Sequence, residues 1–315
     1  MKKADSEMKS VKAVLVSRLL SLGLPARLVL WLVLSLILSV IFLPEFWTSL
    51  PGMLSPSWVL GQHHASPWGV LALCLIFLWL KRETVRDRMR HRPSLVFTPL
   101  GLALLVGAVL IPSTPDYLVF QVLLLLLGAF VIFFGRGATI PAIMLAIYGF
   151  AISFPLAIQR FAEDAYSSIA IPPVTGLMTA LGYPLQNQGQ WVYFINLSGE
   201  PIAVAITAAC AGPATMGVFL AIFALMTLDM PLPPKRAAGL FLFGVVGTWF
   251  QSFIRLIILM LAGYYLGEDA LWAAHSWTIY ILFPLWYLLF VYIYFRQAEV
   301  KSGEIKNKIQ GGNHG

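Results

Sequence analysis

The run YLVFQVLLLLLGAFVIFF, residues 117–134, is eighteen residues long and carries no charge. A helix advances about 1.5 Å per residue, so a segment of this kind is long enough to cross roughly 30 Å of hydrocarbon. Other apolar runs of similar length recur along the chain. The composition agrees with them: 59% of the 315 residues are hydrophobic and 11% are charged, against roughly 25% charged in soluble domains. The chain reads as an all-α polytopic membrane protein.

About eight spans are expected, approximately over 28–43, 67–80, 95–111, 117–134, 138–158, 211–228, 237–263 and 277–295. The second, Pro67 to Leu80, is the shortest. The distribution of Lys and Arg orients them, because basic residues accumulate in cytoplasmic segments. With the N-terminus inside, the inside segments hold six basic residues in the tail and six within KRETVRDRMRHR (81–92). They also hold Arg136, Lys235, Arg236 and the four after the last span, which makes nineteen of the twenty-one. Arg160 alone falls outside, and Arg255 falls within a span. The expected topology is N-in/C-in, and the bias supports keeping the second span.

This layout divides the chain into a cytoplasmic basic tail (1–27), an N-terminal four-span region (28–134), a second membrane region (138–295) and a cytoplasmic polar tail (296–315). The tail begins MKKADSEMKS and has no small-residue cleavage site after an apolar core, so it is not read as a removed signal peptide. The net charge of +7 belongs to membrane orientation rather than to a nucleic-acid surface. Two cysteines, Cys74 and Cys210, cannot form a disulfide framework, and no CxxC, HExxH, Walker or GxGxxG pattern occurs. His63 and His64 have no nearby acid or cysteine to complete a metal set and are read as loop residues.

Between the fifth and sixth spans lie about fifty outside residues. Thr175 to Leu181 is expected as a short amphipathic helix on the membrane surface. In QWVYFINLSGEPIAVAITAAC, aromatic and β-branched residues flank a turn signal at Leu197–Pro201, and the residues from Ile202 alternate with period two. A short extracytoplasmic β-hairpin is expected there, feeding directly into the sixth span. Pro213 fits the first turn of a helix, where its missing N–H costs nothing. Cys210 then sits at a helix N-terminus, where the positive end of the dipole favours thiolate, or is an inert packing cysteine before a proline kink.

Arg255 lies in GTWFQSFIRLIILMLAGYYLG, near the outer end of the seventh span. An arginine within a span faces a partner or a functional cavity, or reaches the lipid headgroups. His275 lies in LWAAHSWTIYILF, at the outside entrance of the eighth span. Loop charge alone thus brings Cys210, Arg255 and His275 to one outer depth. A thiol nucleophile, an imidazole acid/base and a guanidinium that holds thiolate, oxyanion or substrate carboxylate are the parts for acyl transfer. No metal or organic cofactor is expected.

From about Tyr148 to Phe295 the chain resembles the exosortase/archaeosortase family of polytopic cysteine transpeptidases. The resemblance is carried by LGYPL (181–185), the hairpin before TAACAG (207–212), the FIRLIIL run (253–259), and His275 followed by Trp277. The family's Cys, Arg and His-or-Arg match Cys210, Arg255 and His275. Ala211 stands where the family usually has Ser or Thr, Pro213 where Ile is typical, and Ser252 where Asn is common. The resemblance implies a membrane-embedded cysteine protease/transpeptidase in the cytoplasmic membrane, its active site facing the extracytoplasmic side. It implies secreted substrates with a C-terminal motif, transmembrane helix and basic cluster, cleaved through a thioester on Cys210. The acyl group would pass to an amine or hydroxyl acceptor of the cell envelope, or to water. Two other classes are weighed: a polytopic transporter with Arg255 in an anion site, which calls for an internal repeat that the sequence lacks, and a membrane acyltransferase using His275. A purely structural scaffold would leave the three side chains far apart.

Overall fold

A computed structural model describes residues 23–55, 65–90, 96–112, 114, 117–207 and 212–311. The chain divides into two compact units. One comprises residues 1–60 and 71–149, the other 61–70 and 150–315. The protein is mostly helical, as expected for a polytopic membrane protein.

The first unit contains α1 (Leu24–Phe42), α2 (Pro44–Met53), most of α3 (Ala65–Leu80), α4 (Arg82–Met89), α5 (Phe97–Leu110), α6 (Leu118–Phe134) and the start of α7 (Thr139–Phe161). Small residues bring α5 and α6 together: a Cβ at Gly101 would press on the Gly128 carbonyl 2.7 Å away. In lipid, where apolar surfaces gain little by leaving the solvent, such close packing is a main source of helix association. Trp31 of α1 donates its indole N–H to the Leu126 carbonyl at 3.1 Å.

The apolar stretch from Leu118 to Phe161 is long enough to cross a membrane, but it is not one rod. Phe120 packs on Gly149 and stacks near Tyr148 at 6.4 Å. A straight helix would separate residues 120 and 149 by about 43 Å. The chain folds back through the 3-10 turn Gly135–Ala138, where Gly135 has φ +51°. Cys74 is buried among these helices and donates to the Met144 carbonyl at 3.6 Å, the role of a packing residue.

The second unit holds the remainder of α7, then α8 (Glu163–Ala180), strands β1 (Leu185–Gln188), β2 (Trp191–Ile195) and β3 (Pro201–Ala205), and helices α9 (Pro213–Asp229), α10 (Pro234–Leu266) and α11 (Glu268–Gly311). The expected hairpin is β2–β3, paired from Trp191↔Ala205 to Ile195↔Pro201. Its turn is closed by Asn196, whose Oδ1 accepts the Glu200 N–H at 2.8 Å and whose amide donates to Glu200 Oε2 at 2.9 Å. A third strand, β1, joins β2 and was not expected. Val192, Phe194, Ile202 and Val204 face inward onto Leu256, Met260 and Leu271, so one sheet face and three helices share a core.

Three expectations on element boundaries change. The short helix Thr175 to Leu181 is the end of the eighteen-residue α8, which continues through Pro172 and Pro173. Ser167, Ala170, Ile171, Val174 and Met178 are its buried residues, spaced as a single helical face. That burial outweighs the two missing N–H donors, and the Thr175 hydroxyl donates to the Ile171 carbonyl at 3.1 Å. The last helix starts at Glu268 rather than near Trp277, so His275 lies within a helix instead of at its entrance. The sixth apolar helix begins at Pro213.

Candidate active site

Helices α10 and α11 form an antiparallel pair joined by the single residue Gly267. Their register follows from three contacts. A Cβ on Gly263 would lie 2.8 Å from Leu271, the Gln251 amide donates to the Leu282 carbonyl at 3.0 Å, and the Trp286 indole donates to Thr248 Oγ1 at 3.0 Å. In that register Arg255 of α10 lies opposite Thr278 of α11, and its Nε donates to Thr278 Oγ1 at 3.2 Å. Thr278 in turn donates to the Ala274 carbonyl at 2.7 Å, so its hydroxyl is held with a lone pair toward the arginine.

The other end of the guanidinium meets His275. Arg255 Nη2 lies 3.1 Å from His275 Nδ1 and 3.4 Å from Nε2, and donates to the His275 carbonyl at 3.2 Å. Arginine has only donors, so the ring nitrogen that pairs with it must present its lone pair. Trp272 packs edge-on against the ring at 5.7 Å. Arg255 is 3% exposed, while His275 is half-buried. A guanidinium this buried is costly unless its donors are satisfied, and α11 supplies three acceptors within two turns.

Cys210 lies outside the described residues, as do Ala208, Ala209 and Ala211. Both flanks of this segment are anchored. On one side the Ile206 N–H donates to the Gln190 carbonyl at 2.8 Å, and Ile206 is buried in the sheet–helix core. On the other, Gly212 begins α9 with φ +102°, a conformation that L side chains rarely adopt. A Cβ there would also collide with Ser252 Oγ. Ser252 precedes Arg255 by three residues, so it lies on the same face one turn away. The start of α9 is fixed further by Thr215, whose hydroxyl donates to the Gly212 carbonyl at 2.7 Å, and by Tyr287, whose hydroxyl donates to the Thr215 carbonyl at 2.7 Å.

Arg255 and His275 thus touch, and the chain two residues beyond Cys210 abuts the helix that carries Arg255. Among the described residues no group of three or more His, Cys, Asp or Glu side chains is placed to hold a metal ion.

The family model described as transmembrane exosortase matches residues 58–296. The chain belongs to the transmembrane exosortase family. Membership implies a membrane transpeptidase of the sorting type. Comparisons with curated proteins and with solved structures give no match.

The sequence reading of this exosortase missed Thr278 and the contact of Gly212 with Ser252. Thr278 follows His275 by three residues and so shares its helical face. That spacing becomes informative only once the last helix is known to start before His275. The Gly212 contact had a weaker signal: a glycine just before a helix-starting proline suggests an open backbone, but not the helix it meets.

Proposed function

We propose that this exosortase is a membrane cysteine transpeptidase with Cys210 as nucleophile, His275 as general acid/base and Arg255 as the group that stabilises thiolate and oxyanion. Its substrates would be secreted proteins whose C-terminal sorting signal comprises a motif, a transmembrane helix and a basic cluster. Cleavage would take place at the extracytoplasmic face of the cytoplasmic membrane, in an eight-span N-in/C-in arrangement. The observation that carries this reading is the direct Arg255–His275 contact, formed beside the helix start that follows Cys210. Gly212, two residues after Cys210 in the sequence, abuts Ser252.

In this reading the sulfur of Cys210 attacks the scissile carbonyl, forming a C–S bond and a tetrahedral oxyanion as the thiol proton passes to His275. A protonated imidazole has no lone pair for Arg255, so proton uptake by His275 releases Nη2 to the oxyanion. Collapse breaks the C–N bond, and His275 returns its proton to the departing amine. The thioester is then attacked by an amine or hydroxyl of an envelope acceptor, or by water. The attacking group gives its proton to His275, and the thiolate leaves and is reprotonated.

The test is processing of a secreted reporter fused to a C-terminal anchor-like tail encoded in the same genome. Cys210→Ala is expected to abolish cleavage while membrane levels stay unchanged, and the parent is expected to yield an acyl adduct on Cys210. Full processing by Cys210→Ala would overturn the mechanism and favour the acyltransferase reading with His275 alone.

A further inference from the structure

The sheet ends in an edge strand that runs into the proposed nucleophile segment. The order is β1-β2-β3, so β3 has one paired side and one free side among the described residues. The pairing fixes which backbone groups point each way. The Ile206 N–H donates to Gln190 and the Asn196 N–H to Glu200, which makes 190/206 and 196/200 hydrogen-bonded pairs. Such pairs alternate along an antiparallel ladder. Val192/Val204 and Phe194/Ile202 therefore bond across β2–β3, whereas Ala203 and Ala205 turn their N–H and C=O groups to the free edge.

Three further features describe this edge. Pro201, at the start of β3, has no N–H, so an added strand finds full donor–acceptor pairs only at Ala203 and Ala205. The side chains at both positions are single methyl groups and leave the backbone approachable. Beside them on the same face, Trp191 and Tyr193 stack at 6.4 Å and both are exposed, giving an incoming strand an aromatic wall for its alternate side chains. Ala203 and Ala205 lie in the part of β3 away from the turn at Asn196–Glu200, and Cys210 follows Ala205 by five residues in the sequence.

We infer that the free edge of β3 is the peptide subsite of this enzyme: the substrate's extended segment next to the scissile bond adds to the sheet through Ala203 and Ala205. The occupant follows from continuity, since the edge leads along the chain into the nucleophile segment within five residues. A two-residue ladder is also too short to hold a second folded copy by strand pairing alone. Recognition would be largely through backbone, which fits an extended chain drawn from the lipid boundary, with side-chain preference set by Trp191 and Tyr193. This inference rests on Cys210 acting as the nucleophile, and its test separates the two.

Ala203→Pro and Ala205→Pro remove edge donors without removing a β2–β3 bond. Membranes holding each full-length variant are assayed for cleavage of the reporter and, in parallel, for alkylation of Cys210 by iodoacetamide. The expected result is at least a tenfold loss of cleavage for either variant, with alkylation within twofold of the parent. Parental cleavage by both proline variants overturns the inference, and so does an equal fall in alkylation, which marks a distorted site. A second arm does not depend on proline. In a Cys210→Ala chain, Ala203→Cys is oxidised against single cysteines scanned through the reporter tail. Cross-links at every second position support strand addition; uniform cross-linking or none overturns it. Cleavage by Cys210→Ala without the added cysteine would instead remove the mechanism on which the inference stands.

Discussion

At the scale of single residues, the Arg255 fork is what gives the site its geometry. Nε is held by Thr278 and Nη2 by the ring and carbonyl of His275. A lysine keeps the charge but cannot make both bonds from one planar group. Arg255→Lys is therefore expected to slow reporter processing about 100-fold, the scale of losing one oxyanion donor. Thr278→Val removes only the Nε acceptor and is expected to cost about tenfold, with recovery in Thr278→Ser. Equal activity of Arg255→Lys and the parent would mean that charge alone is used. Gly212 carries a different constraint, since an added Cβ meets both an unfavourable φ of +102° and Ser252 Oγ. Gly212→Ala is expected to cost about 1–3 kcal/mol, read as a lower melting temperature of the detergent-solubilised protein. Adding Ser252→Ala should restore only part of that, because the backbone strain remains.

At the scale of elements, legibility depended on whether a pattern was local. The β2–β3 hairpin could be read because its turn and alternating residues adjoin in sequence. The strand β1, LQNQ, is polar and without alternation, and pairs only because β2 offers it an edge. Helix α8 carried the right buried periodicity, but Pro172-Pro173 reads as a break; tertiary packing of Ile171, Val174 and Met178 overrides it. The placement of Arg255 and His275 at a common depth was legible from charge bias, whereas their contact depends on the one-residue link at Gly267, a feature of side-by-side packing. The hairpin turn gives a prediction at this scale. Asn196 is 5% exposed and bonds both the backbone and the carboxylate of Glu200. Asn196→Ala removes the acceptor of the Glu200 N–H and the amide–carboxylate bond, at a cost of about 1 kcal/mol. Limited proteolysis should then cut within 197–199, where the parent resists; an unchanged cleavage pattern would show that the strand pairing holds the turn without Asn196.

At the scale of the whole molecule, the proposed function depends on which side of the bilayer the sheet and the Arg255–His275 pair occupy. Among the described residues, four apolar helical stretches are long enough to cross: Leu24–Phe42, Leu118–Phe161, Pro234–Leu266 and Glu268–Glu299. The fold-back at Gly135 turns the second of these into two antiparallel helices, which puts Arg136 at the same end of the unit as the turn itself. Each of α10 and α11 is longer than the roughly 20 residues a bilayer requires, so their junction at Gly267 projects toward one surface. The hairpin tip is tied to that end, since the Leu197 N–H donates to the Tyr264 carbonyl at 2.9 Å. Lys235 and Arg236 stand at the opposite end of α10, and basic residues favour the cytoplasmic side. Single cysteines in a Cys74→Ala, Cys210→Ala chain test the orientation in intact cells. A membrane-impermeant maleimide is expected to label Ser198→Cys at the hairpin tip directly, and Arg86→Cys and Lys235→Cys only after permeabilisation. Labelling of Lys235→Cys in intact cells, with Ser198→Cys protected, would invert the protein and place the Arg255–His275 pair on the cytoplasmic side, where a secreted substrate could not meet it.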